Sequence, residues 1–298
     1  MKNIKIVNLD YFDDRDFNKI EEKKILKHHF HKFKNGEFKF IIDEDEEKCK
    51  EVYIYQRFNK KDFNNQLIKL YLCCCALKYN GIKVIEYVAP FIPYTRQDEI
   101  NNKQIMSIGL QMIVLILDNF GIKKFTTYDL HSFKDNIQHN VKINNLSFIQ
   151  YFLKEINQKF NLESTIIVLP DEGATIRFKK EILKKNNKIK VVSFKKKRTK
   201  YKIAISCVNR NYSFKDKNIV ILDDIIDSGE TIISVTKLLS SFGANDVYIY
   251  ATHGILSGNC NKKIQNTDKI KEVTITDSIK NNNISKKIRI INIPSLLT

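Results

Sequence analysis

The densest chemistry in the 298-residue sequence is the string IVILDDIIDSGET at 219–231. An apolar run leads into Asp223 and Asp224. A turn follows at Asp227, Ser228 and Gly229, and Glu230 and Thr231 open what reads as a helix. Such a turn aims backbone N–H groups and the positive end of a helix dipole at one point, with the Ser228 and Thr231 hydroxyls beside it. That geometry suits a dianionic phosphate. Two acids nearby would repel a phosphate unless they hold something else, and a carboxylate pair can accept hydrogen bonds from two vicinal hydroxyls. The string therefore reads as a sugar-phosphate site, with phosphate in the turn and diol on Asp223 and Asp224. The plainer alternative is an acid pair at a strand end followed by a serine helix cap.

Other residues could support such a site. Arg96 and Gln97 follow an apolar run and Pro93. Arg96 offers a bidentate fork for phosphate and Gln97 can donate and accept beside a nucleotide; a surface turn with an Arg96–Asp98 ion pair is the competing reading. Asp129 and His131 end another predicted strand, where His131 could ligate a divalent cation and Asp129 could orient water or the ion. A structural histidine is the alternative. Asp171 follows TIIVL at 165–169 and equally suits the first turn of a helix. The run KKKRTKYK at 195–202 is basic except at Thr199 and Tyr201. Like charges without an apolar face predict a mobile, solvated segment that orders only against an anion. Phe33, Asn35 and Glu37 fall on a short loop between a charged helix and a strand, where Phe33 alone suggests core packing.

These residues need a scaffold. Short apolar runs predict strands at 83–89, 123–129, 165–169, 188–194, 218–223 and 246–252, alternating with amphipathic helices at 62–79, 105–120, from 173, and at 229–242. That alternation predicts an α/β fold with mainly parallel sheets. A boundary at 142–145 divides the chain into 1–144 and 145–298, and 280–287 reads as a surface loop. Hydrophobic residues make up 43% and charged residues 29%, as in a globular protein. The 51 Lys and Arg exceed the 34 Asp and Glu, for a formal net charge of +17. Nucleic acid is not the expected partner: the lysines are spread among acids, and 30 Asn point to A/T-rich codons. A small anionic substrate would use the same field. No apolar stretch approaches the about 18 residues of a membrane span, and the N-terminus lacks a signal-peptide pattern. Cys73, Cys74 and Cys75 point three ways on a helix and cannot converge on a metal, so the six cysteines read as small buried residues of a cytoplasmic protein.

The string at 219–231 resembles the ribose 5-phosphate loop shared by type I phosphoribosyltransferases and ribose-phosphate diphosphokinases. ATHGILSG at 251–258, PYTRQD at 93–98, FKNGE at 33–37, TYDLH at 127–131, PDEGATIR at 170–177 and TDSI at 276–279 resemble the diphosphokinase in order along the chain. The resemblance implies two tandem type I phosphoribosyltransferase-like domains, each with a mainly parallel sheet flanked by helices. It implies transfer of the β,γ-diphosphoryl group of ATP to the C1 hydroxyl of ribose 5-phosphate. It assigns Asp223, Asp224, Asp227, Ser228, Gly229, Glu230 and Thr231 to the sugar phosphate. Phe33, Asn35, Glu37, Arg96 and Gln97 go to ATP, His131 and Asp171 to Mg2+, and Lys196, Arg198 and His131 to catalysis. The adenine contacts of Phe33, Asn35 and Glu37 come from a neighbouring subunit, implying a dimer-based homo-oligomer, up to a hexamer. Some positions depart from the family pattern. Asn140 and Asn144 stand where aspartates are usual, Glu99 and Ile100 where basic residues are usual, and Glu230 where a small residue is common. A weakly active or inactive paralogue that regulates a partner synthetase is the alternative function.

Overall fold

The computed structural model describes residues 4–9, 24–43, 49–96, 109–131, 139–185, 189–198, 203–207 and 212–293. The chain forms two units, divided between Leu146 and Ser147. The first unit holds β1 (Ile4–Asn8), β2 (His28–Lys32), β3 (Phe38–Ile42), β4 (Glu51–Tyr55), the short β5 (Phe58–Asn59) and α1 (Phe63–Tyr79). It continues through β6 (Lys83–Val88), α2 (Gly109–Asn119), β7 (Lys124–Tyr128) and β8 (Lys142–Leu146). Its sheet runs β1-β4-β6-β7-β8 with every pair parallel. Parallel neighbours need a crossover, and α1 and α2 supply two of them. Leu70, Cys73, Cys74 and Leu77 form the buried stripe of α1, and Leu110, Ile113, Val114 and Leu117 that of α2. Both follow the i, i+3, i+4, i+7 spacing of one helix face. Burial raises the Cys74 thiol to about 12 and the Cys73 thiol well above its usual value, so both act as apolar residues.

The expected boundary at 142–145 falls on strand β8, and the two units divide just after it, between Leu146 and Ser147. The edge of β7 needs a partner, and the polar sequence KINNL suits an edge strand because its hydrogen bonds are made by backbone. The loop at 33–37 joins two strands, not a helix and a strand: β2 and β3 pair antiparallel from His28↔Ile42 to Lys32↔Phe38.

The second unit holds α3 (Ile149–Lys159), β9 (Thr165–Leu169), α4 (Glu172–Lys185), β10 (Lys190–Arg198), β11 (Ile203–Cys207) and β12 (Asn218–Ile226). It continues with α5 (Glu230–Ser241), β13 (Val247–Gly254), α6 (Cys260–Gln265), β14 (Ile270–Thr276), β15 (Ile279–Lys280) and β16 (Ile288–Ile291). The strand order is β11-β10-β9-β12-β13-β14-β16, parallel except for β10 with β11. All of β9 and most of β12 are buried, which explains their unbroken Ile, Val and Leu runs. The 195–202 run is also corrected. Lys195 to Arg198 complete β10 and pair with β11 in the register Lys195↔Ser206 to Arg198↔Ile203. Ladder hydrogen bonds join backbones, so a lysine-rich strand can pair near a sheet edge. Residues 199–202 lie outside the described residues.

Gly109 opens α2 against the backbone of Tyr94, a residue held at φ 68°. A Cβ on Gly109 would stand 2.2 Å from the Tyr94 carbonyl oxygen. Gly→Ala in a helix normally stabilises by about 1 kcal/mol. Gly109→Ala is expected to do the opposite, costing about 1–3 kcal/mol through overpacking. Urea unfolding checks this, and a stabilised variant would show that the contact imposes no constraint.

Candidate functional site

The chain runs from β9 outward to β10, then returns across β9 to form β12 on its other side. The loops after β9 and β12 therefore leave in opposite directions. In open α/β sheets the crevice at the carboxyl ends of such strands is where ligands bind. Asp171 follows β9 and the 227–229 turn follows β12, so both belong to this crevice. The strands of the first unit's sheet show no such reversal, running in chain order from β1 to β8.

The phosphate-type turn has the expected form. Gly229 caps α5 at φ 76°, a left-handed conformation that favours glycine. A Cβ there would also meet the Cys260 sulfur at 2.8 Å, so the position is constrained twice. The first turn of a helix leaves its N–H groups without intrahelical acceptors, which points the amides after Gly229 toward the turn. The turn is anchored from β13: Ile255 and Leu256 donate backbone N–H to the Ile226 carbonyl at 2.8 and 3.1 Å, and Ser257 to that of Asp227 at 3.0 Å. Glu230 is exposed, with its carboxylate 3.6 Å from Lys263 Nζ.

Asp223 and Asp224 lie inside β12 rather than at its end, since the strand runs on to Ile226. Both are buried. The Asp224 amide donates to Asp223 Oδ1 at 2.9 Å. Arg177 of α4 donates to Asp224 Oδ1 at 2.6 Å and lies 3.7 Å from Asp223 Oδ1. Burial is the main cause pushing the Asp223 carboxyl well above its usual range; the Asp224 and Asp171 charges add to it, and Arg177 opposes it. Asp171 Oδ1 accepts the Ala174 amide at 2.8 Å, as an acid at a helix start does. A Cβ on Gly173 would stand 3.0 Å from an Arg177 nitrogen and 3.3 Å from Asp171 Oδ1. The glycine thus leaves room for the guanidinium beside the acids. Arg177 lies in the PDEGATIR string, but its type and spacing alone assign it no role. The available signal was an arginine one helical turn after Gly173, at the start of a helix that follows a buried strand.

In the first unit, the hairpin tip holds Phe33, Asn35 and Glu37 together. Asn35 Nδ2 donates to Glu37 Oε2 at 2.8 Å, and the Glu37 amide to Asn35 Oδ1 at 3.1 Å. Phe33 does not pack in the core: it is 43% exposed, with its ring edge-on to His31 at 4.7 Å. The ribbon packs on α1, where Lys69 Nζ stands 4.8 Å over the Phe38 ring, yet the Phe33 side chain at the tip stays largely open. Arg96 is exposed at the end of the loop after β6, and Gln97 lies outside the described residues. Asp129 is buried at φ 34°, its amide bonded to the Leu146 carbonyl at 2.9 Å. His131 follows two residues later, half-buried. The Leu130 amide between them donates to Asn145 Oδ1 at 3.0 Å. Lys196 and Arg198 are two positions apart on β10.

The N-terminal domain of ribose phosphate pyrophosphokinase, as a family model, matches residues 16–121. The phosphoribosyl synthetase-associated domain matches residues 182–298. A ribose-phosphate pyrophosphokinase of Oceanobacillus iheyensis is 31% identical over 248 residues, covering 83% of this chain and 76% of that protein. Ribose-phosphate pyrophosphokinase A of Dictyostelium discoideum is 30% identical over 253 residues, covering 85% and 78%. The crystal structure of phosphoribosylpyrophosphate synthetase from Mycobacterium smegmatis shares the fold at a TM-score of 0.82 and 23% identity, over 98% of this chain and 95% of that one.

The raised Asp223 carboxyl sets a pH dependence. Its charged form is disfavoured in the folded chain, so stability falls as pH rises from the ordinary carboxylate range through the raised folded value. Asp223→Asn keeps the acceptor for the Asp224 amide and removes that charge. Without divalent ions, it should stabilise the chain by about 0.5–2 kcal/mol at pH 7. The gain should vanish as pH falls toward the unfolded carboxylate value of about 3.9. Thermal melts across that range test this; a variant less stable than the parent at pH 7 would contradict it.

Proposed function

We propose, for a chain that belongs to the ribose-phosphate pyrophosphokinase family, that it transfers the β,γ-diphosphoryl group of ATP to the C1 hydroxyl of ribose 5-phosphate. The products are phosphoribosyl diphosphate and AMP, the former for nucleotide biosynthesis. The observation that carries the reading is the buried acid pair running into a glycine-capped turn and α5, at the point where the strand order of the second unit reverses. Asp223 and Asp224 accept the ribose diol, and the Ser228 and Gly229 amides with the Thr231 hydroxyl hold the 5-phosphate. The C1 hydroxyl gives up its proton to water, its oxygen bonds to the β-phosphorus as the bond to the α,β-bridging oxygen breaks, and that bond's electron pair leaves on AMP. Lys196 and Arg198 act on the charge that spreads over the transferring oxygens. Arg96 and Gln97 hold ATP. Phe33, Asn35 and Glu37 serve as an adenine platform for a neighbouring copy in a homo-oligomer, a use that fits an exposed hairpin tip.

Mg2+ fits the donor chemistry. It keeps several waters and takes one or two carboxylates together with substrate phosphates. Among the described residues no three His, Cys, Asp or Glu side chains converge as a closed cage. Asp171, half-buried beside the acid pair, would provide the carboxylate, and His131 would provide a donor in the first unit. When bound, the ion neutralises charge on the phosphoryl oxygens. Cys49, Cys73, Cys74, Cys75 and Cys260 are thiols, in keeping with work in a reducing cytoplasm.

The purified chain, given ATP, Mg2+ and ribose 5-phosphate, should form AMP only when the sugar phosphate is present. Absence of AMP would favour a regulatory paralogue. Asp224→Ala should raise KM for ribose 5-phosphate while KM for ATP stays nearly unchanged; the reverse pattern would remove the diol assignment. Lys196→Ala and Arg198→Ala should each lower kcat by about 10²-fold or more, the scale of losing one preorganised donor. Arg198→Lys should recover only part of this, because the fork is lost. Full turnover in the double alanine variant would leave these two residues without a catalytic part.

A further inference from the structure

Glu230 suits a phosphate turn poorly. It is the first residue of α5, where the helix N-terminus offers partial positive charge to an anion. A carboxylate there draws on the same field as a bound phosphate and repels it. The turn nevertheless keeps every other feature of an anion site. The compensation comes from α6. Lys263 Nζ stands 3.6 Å from Glu230 Oε1 and 3.5 Å from the Ser228 carbonyl oxygen, so two residues of the turn face one ammonium group. Its position is not incidental to the packing of α6. Cys260, one turn earlier, fills the space under Gly229, and the Ser257 amide is bonded to the Asp227 carbonyl at 3.0 Å. The segment that brings Lys263 in is thus the segment that braces the turn.

We propose that Lys263 is a substrate-positioning residue of the phosphate turn, acting with Glu230 as a neutral pair that lets a dianionic phosphate bind beside an acid. The proposal rests on the ribose 5-phosphate reading above. Its content is charge arithmetic. The intact pair adds no net charge; relative to it, loss of Lys263 makes the turn one unit more negative, loss of Glu230 one unit more positive, and loss of both leaves the charge as in wild type. The two side chains are 40% and 57% exposed, so solvent and salt screen the pair and its effect is moderate.

The test compares wild type, Lys263→Met, Glu230→Gln, the double variant and Lys263→Arg, with KM measured separately for ribose 5-phosphate and ATP. Lys263→Met should raise the sugar-phosphate KM by about fivefold, the upper range for an exposed charge pair. The ATP KM and kcat should hold within about twofold, and the rise should shrink at about 0.5 M salt. Glu230→Gln should lower the same KM by about threefold, the double variant should return to within about twofold of wild type, and Lys263→Arg should behave as wild type. A double variant as impaired as Lys263→Met, or an unmoved KM in Lys263→Met, overturns the proposal. If wild type makes no AMP, the functional reading fails instead. Calorimetric titration of the same proteins with inorganic phosphate then reads the pair alone. The same order of affinities supports it, and equal affinities overturn it.

Discussion

The second unit is organised around a cost: two adjacent carboxylates held out of water in its central strand. Burying one unpaired charge is expensive, and two like charges side by side are worse. Arg177 offsets part of this, and the raised Asp223 carboxyl shows that it does not offset all. A packed core would not keep such a pair for stability alone, since apolar residues of similar volume generally serve as well or better. On the proposed reading, a sugar diol donating hydrogen bonds to the two acids would add to the compensation that Arg177 supplies.

Everything near the pair is arranged to keep it fixed. Its strand pairs with β9 only as far as Ile221, and beyond that β13 holds it, at Asp223↔Ala251, Ile225↔His253 and Ile226↔Gly254. Gly173 lacks the one atom that would push Arg177 away. Asp171 is tied to the start of α4 by the Ala174 amide. The turn that follows β12 is tied to the segment after β13, and Cys260 fills the gap beneath Gly229. Side chains held this way lose little freedom when a ligand binds, which is what a positioned site requires. Further along, His253 is buried with Nδ1 2.8 Å from Ser278 Oγ, and Ser278 Oγ donates to the Thr252 carbonyl at 3.2 Å. This extends the same bracing to the turn after β14.

The sequence made some of this legible and hid the rest for physical reasons. β12 and α5 could be read because a buried parallel strand is a continuous apolar run and a left-handed cap calls for glycine at one position. The role of Arg177 could not be read, because its partner Asp224 is 47 residues away in sequence and only the fold joins them. The basic strand at 195–198 was misjudged because side-chain charge says little about whether a backbone has a neighbour to pair with. β8 was missed for the same reason: KINNL has weak strand propensity, and its place was set by the edge of β7. Phe33 looked like core because aromatic residues usually are. At the hairpin tip its ring meets His31 edge-on and stays largely exposed instead.

The same logic accounts for two departures from the family pattern. Asn144 donates to Thr126 Oγ1 at 3.3 Å, and Thr126 in turn bonds Glu86, whose carboxylate also pairs with Lys124 at 2.8 Å. An aspartate at 144 would bring a second negative charge to a buried carboxylate with one lysine partner. Asn140 gives its backbone N–H and its amide to Asp118, at 3.2 Å each to Oδ2. That backbone contact is the leading cause holding the Asp118 carboxyl below its usual value, with Lys123 assisting. An aspartate at 140 could supply the backbone donor but not the side-chain one, and it would face a like charge. In both places the amide fits a carboxylate that this chain already has. The asparagines are therefore explained by local charge balance in the first unit, without any loss of function having to be assumed.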